Sequence, residues 1–304
     1  MGTPEFAIPS LTLLLASDNT LTGIVTQPDR PKGRGKKLTP PPVKTVAQQH
    51  GLPLVQPDTV KEEPFTHWLK MQHPDLIVVV AFGQILPPKI LRIPPFGCIN
   101  LHASLLPHYR GAAPINWPII NGDETTGVTT MFMNEWMDTG DIILQRETKI
   151  EPTDDALTLG HRLSTLGAKL LLETINHLKK GTVTSRPQDH SKSSHAPPLK
   201  KDNGSIDWSR NARDIHNQIR GTIPWPGSFT RFNNKLLKIF KAEITDAPLH
   251  QPPGTIAHVS PDGIQVATGN GYLLLTEVQL ENRRKMTAAE FVKGNSLPVG
   301  TLFG

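Results

Sequence analysis

Asn100 and His102, two residues apart, stand at the head of the densest chemical constellation in the chain, which continues through Ser104, Pro107 and Arg110 to Gly111. Strand side chains alternate, so the two project from one face. An amide beside an imidazole combines a hydrogen-bond donor with a group that titrates near neutrality. That pair suits acyl or formyl transfer, in which negative charge develops on a carbonyl oxygen. Taken alone, Asn-x-His is equally a capping amide next to a satisfied, half-buried imidazole. Asp138 lies in Met137-Asp138-Thr139-Gly140-Asp141, in a glycine-containing turn between two strand-like runs. From a neighbouring loop it can orient His102 or act as a base. By itself it also fits a turn aspartate bonded to its own backbone. The Asp-Thr-Gly of aspartic proteases needs a second, symmetry-related copy, and the chain's strand–helix alternation is wrong for that class.

A second cluster is basic. Between residues 26 and 44 the chain carries Arg30, Lys32, Arg34, Lys36, Lys37 and Lys44 against Asp29 alone. Gly33 and Gly35 allow close backbone approach. A flexible basic loop after a strand suits a phosphate-backbone clamp, or is a solvated charged loop. The Gly-x4-Gly-Lys-Ser/Thr order of a P-loop is absent. Phe82, Gly83, Gln84, Ile85 and Leu86 leave a buried strand and either wall a flat heterocycle or form an ordinary strand exit. No His/Asp/Glu cluster has metal-ligand spacing, so no metal is expected, and no Gly-x-Ser-x-Gly elbow occurs.

The elements that must carry these residues alternate over residues 1–150. Short β-branched runs at 21–26, 76–81, 98–102, 127–133 and 142–144 read as strands buried in a parallel sheet. Helical patterns lie at 9–16, 43–50 and 59–72, and a long one covers about 155–180. This is the pattern of a doubly wound, Rossmann-like α/β domain, in which ligands bind outside the carboxyl ends of the strands. The polar stretch 184–205 reads as a linker. Beyond it come a helix at 211–220 and strands at 227–232, 236–244, 254–259, 263–267 and 272–278. Five short strands with intervening turns suggest a small, OB-like β-barrel. The expected domains are therefore 1–183, catalytic, and 206–304, a smaller barrel, joined by 184–205.

With 304 residues, 37% hydrophobic and 19% charged, the chain can build packed cores, and wholesale disorder is excluded. The longest apolar run, 76–82, is far too short to cross a membrane. No signal peptide is apparent, and the single cysteine, Cys98, excludes an internal disulfide. A reducing cytoplasm is expected. The net charge of +5 is unevenly placed, since residues 200–304 hold thirteen Lys and Arg against nine acids. A basic C-terminal third suggests a polyanionic partner.

Together and in order, these pieces resemble the methionyl-tRNA formyltransferase family over nearly the whole chain. The carriers are Met-Gly-Thr-Pro-Glu-Phe-Ala at 1–7, Thr-Gln-Pro-Asp-Arg-Pro and Gly-Arg-Gly-Lys-Lys within 26–37, and Asn-Leu-His-Ala-Ser-Leu-Leu-Pro at 100–107. Arg-Gly-Ala-Ala-Pro-Ile at 110–115, Met-Asp-Thr-Gly-Asp at 137–141, Ile-Asp-Trp-Ser at 206–209 and Pro-Trp-Pro at 224–226 complete the set. The resemblance implies a cytoplasmic, non-membrane, monomeric enzyme that moves the formyl group of 10-formyltetrahydrofolate onto methionyl initiator tRNA. It implies Asn100, His102 and Asp138 as catalytic residues. It implies Ser104, Leu105, Leu106 and Pro107, with Phe82 to Leu86, as folate contacts, and Arg34, Lys36 and Lys37 as tRNA contacts. The alternative is a related formyltransferase acting on a sugar amine or nucleotide amine. A nicotinamide oxidoreductase is disfavoured because no Gly-x-Gly-x-x-Gly follows an N-terminal strand.

One departure stands out. The family has a short apolar strand ahead of Gly-Thr-Pro, whereas Met1 immediately precedes Gly2 here. The first strand is thus expected to be absent, through a trimmed start or a lost segment. The chain is expected to fold poorly as written and to gain stability from an upstream apolar segment. A smaller departure, His195 where Tyr is common, bears only on linker packing.

Overall fold

The computed structural model describes residues 1–32, 35, 37–245 and 251–304. In it, the β-branched run Ile77–Val80 forms a strand parallel to Cys98–His102, with Ile77 opposite Cys98 and Val80 opposite Leu101. Thr125–Phe132 and Ile142–Lys149 extend this sheet, but both pairings are antiparallel. The sheet is therefore mixed, where the sequence had suggested parallel strands throughout. For the last pair the reason is connection length. Nine residues separate Phe132 from Ile142. A parallel crossover needs a dozen or more. The α/β, Rossmann-like character is kept.

Proline at the first or second position starts the helices Ile8–Leu15, Pro42–Gln49 and Glu63–Met71. The ring pre-sets φ there and removes an N–H that would have no helical partner. Phe65, Leu69, Ile77, Val79, Phe82, Leu86 and Ile90 build a core under the sheet. Cys98 belongs to that core, and burial pushes its thiol up to about 12, which leaves it unreactive. The long helix Ala156–Lys179 buries Leu159, Leu163, Leu170 and Leu171, while Leu157 is exposed. Gly167 lets this helix approach the strand that carries the site. A Cβ there would lie 2.8 Å from the Leu101 side chain.

Ile24–Val25 pairs in parallel with Leu54–Val55 as a separate two-stranded sheet. Between Val25 and Val80 lie Met1 and Gly2. Gly2 N–H donates to the Val25 carbonyl (3.0 Å), Val80 N–H donates to the Met1 carbonyl (2.9 Å), and the Met1 ammonium donates to the Val78 carbonyl (2.6 Å). Next to them is a cavity of about 140 Å³ lined by Leu11, Leu14, Leu21, Ile24, Trp68 and Ile77, among others. Ser10 also lines it, and its buried hydroxyl has no partner among the described residues. Burial lowers the Met1 amine to about 5.

The chain separates into two units by its internal contacts. One holds Met1–Pro114, Thr125–Lys149 and Gly160–Ala196, and the other holds Ile115–Glu124, Ile150–Leu159 and Pro197–Gly304. The second unit contains an antiparallel sheet ordered Ser228–Phe232, Lys235–Thr245, Tyr272–Leu280, Gly263–Ala267, Ile256–Ser260. Asn233 and Asn234, both at positive φ (49° and 62°), make its first hairpin turn. Asn211 caps the helix Ala212–Gly221, its side-chain oxygen accepting from Asp214 N–H at 2.8 Å. Ile215, Ile219, Leu237, Ile239, Ile264, Leu273, Leu275 and Phe291 fill the core. The short helix Asn116–Asn121 also packs in this unit. Asn116 donates to the Gly221 carbonyl at 2.8 Å, and a Cβ on Gly221 would meet Ile120 at 2.5 Å.

Candidate active site

Strand Cys98–His102 brings His102 to its carboxyl end, with Asn100 two residues earlier on the same face. His102 is 5% exposed, and its Nε2 lies 2.9 Å from the Tyr109 carbonyl. A carbonyl only accepts, so Nε2 carries the hydrogen and donates it. That leaves Nδ1, which faces Asp138 Oδ1 at 3.7 Å. The chain returns Tyr109 to this position through an ordered loop. Ser104 Oγ donates to the His108 carbonyl (2.6 Å), and Leu106 N–H donates to Thr129 Oγ1 (3.1 Å). Thr129 Oγ1 in turn donates to the Ser104 carbonyl (2.7 Å), and Gln145 donates to the Leu106 carbonyl (2.9 Å).

Asp138 sits at φ 54°, the left-handed region, in the connection between Phe132 and Ile142. Asn134 organises the turn by accepting from Trp136 N–H (3.0 Å) and Thr139 Oγ1 (2.9 Å). Only glycine fits at position 140, where a Cβ would fall 1.7 Å from the Phe132 carbonyl oxygen. Asp138 Oδ2 accepts from Gly111 N–H at 2.9 Å, so the carboxylate is fixed at one oxygen and faces the imidazole with the other.

Behind the carboxylate is a network that the sequence did not suggest. Arg110, 7% exposed, donates through Nε and a terminal nitrogen to Gln188 Oε1 (3.1 and 2.6 Å). Burial lowers the Arg110 pKa, and the charge of Asp138 acts against that shift. Gln188 Nε2 donates to the carbonyls of Asp138 (3.0 Å) and Gly140 (2.7 Å). Arg110 also donates to His190 Nδ1 at 3.0 Å. The stretch that holds Gln188 and His190 pairs in parallel with Arg110–Gly111 through His195–Ala196. It carries no apolar periodicity, so spacing could not point to these residues.

The residues expected around a folate divide by environment. Phe82 and Leu86 are buried in the core under the sheet, and Leu106 packs with Met131 and Ile142. Ser104 is buried, and Leu105 and Pro107 are half-buried. Gln84 is engaged with Val60 N–H and with the carbonyls of Pro57 and Asp58. Ile85 is 61% exposed, and Gly83 turns the chain at φ 86°. The two loops leave adjacent parallel strands at the same end. Among the described residues, no group of three His, Cys, Asp or Glu is arranged to hold a metal.

In the basic loop, Arg30–Lys32 and Lys37–Thr39 form a hairpin, with Lys37 exposed. Arg34 and Lys36 lie outside the described residues. Lys44 is committed to Asp29 at 2.8 Å, and Gln56 and Lys44 together hold the Asp29 pKa below its usual value.

The chain resembles known proteins along its whole length. A family model described as formyl transferase matches residues 11–175, and one described as formyl transferase, C-terminal domain, matches residues 198–296. A methionyl-tRNA formyltransferase of Syntrophus aciditrophicus (strain SB) is 50% identical over 304 residues, spanning 100% of this chain and 97% of its own. One from Clostridioides difficile (strain 630) is 46% identical over 304 residues, spanning 100% and 98%. Among solved structures, the sugar 3N-formyl transferase WlaRD, with dTDP and 5-N-formyl-THF, has a TM-score of 0.68 at 19% identity over 93% of this chain and 97% of its own. HypX from Aquifex aeolicus in complex with tetrahydrofolic acid gives 0.60 at 16% identity over 81% and 43%. At such identities these two structures speak for the fold alone. Both matched domains in this order, with about half of all residues shared from end to end, establish that the chain belongs to the methionyl-tRNA formyltransferase family.

Proposed function

We propose that the chain carries out the family's reaction, formylating the α-amine of methionyl initiator tRNA, with Asn100, His102 and Asp138 at the reacting atoms. 10-Formyltetrahydrofolate supplies the formyl group, whose oxygen gains negative charge as the amine attacks. The Asn100 amide and the remaining nitrogen of His102 are the donors for that charge. His102 Nε2–H is spent on Tyr109, so Nδ1 serves the oxyanion as a donor in the imidazolium form, in which both ring nitrogens carry hydrogen. Asp138, with one oxygen on Gly111 N–H, orients the imidazole and takes the proton shed by the amine, directly or through a water, for return to the folate nitrogen as its bond to the formyl carbon breaks. The observation that carries this assignment is the 3.7 Å approach of His102 Nδ1 to Asp138 Oδ1 at the carboxyl end of a sheet strand.

The loops from Phe82 to Leu86 and from Ser104 to Pro107 receive the folate, with Ile85 and Pro107 offering apolar surface. Arg34, Lys36 and Lys37 reach the phosphates of the tRNA acceptor end. Residues 1–183 form the catalytic domain, and 206–304 form an OB-like barrel that contacts the tRNA. Support for the barrel comes from six antiparallel strands, Met286–Thr287 being the sixth, and from register shifts between Ile239 and Ala242, a common way to curl a sheet. The enzyme is cytoplasmic and acts as a monomer.

Transfer of labelled formyl to charged initiator tRNA, with elongator tRNA as control, tests the function. Asn100→Ala and His102→Ala should each lower kcat by about 10²- to 10³-fold, the scale of a lost oxyanion donor, with the fold intact. Near-wild-type turnover in either variant sinks the assignment.

A further inference from the structure

We infer that Gln188 is a positioning residue for formyl transfer. Its side-chain amide rivets the turn carrying Asp138 to the strand carrying Arg110, and so sets the approach of the carboxylate to His102. The inference rests on the reading of His102 and Asp138 as the reacting pair.

Gln188 is 5% exposed in a polar stretch. Burying an amide is costly unless its hydrogen bonds are met, and packing alone would be served better by an apolar side chain. Here all four are accounted for. Oε1 accepts twice from Arg110, and Nε2 donates once each to the carbonyls of Asp138 and Gly140. The two carbonyls flank Thr139, so one NH2 group fixes both ends of the short segment in which Asp138 holds its left-handed conformation (φ 54°). An aspartate visits that region at a cost and needs its surroundings to keep it there. Arg110 is followed by Gly111, whose N–H holds Asp138 Oδ2 at 2.9 Å. The amide thus ties the backbone of the turn to the same strand that grips its carboxylate. Without the rivet, the turn keeps the Gly111 contact, the Asn134 bonds to Trp136 and Thr139, and the Phe132 N–H bond to the Asp141 carbonyl, but loses the bonds that grip the carbonyls of Asp138 and Gly140. His102 is held by the Tyr109 carbonyl, on the Arg110 side of the contact, so relaxation of the turn changes the distance between Nδ1 and Oδ1.

Gln188→Met keeps length and bulk but removes both donors and the acceptor. Gln188→Glu keeps an acceptor for Arg110 and turns a carboxylate oxygen toward two carbonyls. Steady-state kinetics with charged initiator tRNA and 10-formyltetrahydrofolate, the pH profile of kcat and the melting temperature are measured for both. The same is done for Asp138→Ala and for the double variant Gln188→Met/Asp138→Ala. Both single changes at 188 should lower kcat by about 10- to 100-fold, the effect of misplacing a reacting group by roughly an ångström. KM for both substrates should stay within about twofold, and the pH profile should shift. In the Asp138→Ala background, Gln188→Met should have almost no further effect on kcat, because a residue acting through another is silent once that other is gone. Wild-type kcat in either folded variant at 188, with the kcat of Asp138→Ala lowered, overturns the inference alone. So does a kcat loss that multiplies in the double variant, which marks a general structural role. Wild-type turnover of Asp138→Ala brings down the site assignment, and the inference with it.

Discussion

At the scale of single residues, charge and commitment separate Lys37 from Lys44. Lys44 is neutralised by Asp29, whereas Lys37 is exposed at the start of its strand. A cation that meets a phosphate releases a counterion, and one already paired releases none. Lys37→Ala and Arg34→Ala should raise KM for charged tRNA, leave KM for the folate unchanged, and each make the salt dependence shallower by about one. Lys44→Ala should leave the slope alone. An unchanged KM and slope in all three would refute the clamp. The chemistry-bearing side chains were legible because their types are unusual together: an amide, an imidazole and a carboxylate, two of them one strand-repeat apart. Gln188 was not legible. Its partners are an arginine and two main-chain carbonyls, and carbonyls leave no trace in a sequence.

At the scale of elements, the strands Cys98–His102 and Gly263–Ala267 coincide with the runs that announced them, through Ile99 and Leu101 in one and Ile264 and Val266 in the other. Strand direction is another matter. The run at 125–132 is buried along most of its length, as a parallel strand would be, yet it lies antiparallel on both sides. Composition reports burial, and direction is decided by the connections.

At the scale of the whole molecule, a half-buried base makes stability a function of pH. Burial, together with the charges of Arg220 and Arg213, lowers His216 from 6.5 to about 4, although a hydrogen bond to the Ala242 backbone acts against the shift. The unfolded chain therefore takes up a proton before the folded one does. Stability is fully present above the unfolded pKa and falls with pH from 6.5 to 4. Urea denaturation across pH 4–8 should show this decline, and His216→Gln should flatten it. A wild-type profile that is level from 6.5 to 4 would contradict it. The chain path has a consequence of another kind, in time. Ile119 is fully buried, in a helix that packs against Ala212–Gly221, yet roughly 90 residues separate the two helices. At about 5–20 residues per second, a ribosome needs roughly 5–18 s to deliver the second helix after the first. For that interval Ile119 waits for its partner, and the newborn chain presents an apolar helix to whatever chaperone or neighbour it meets.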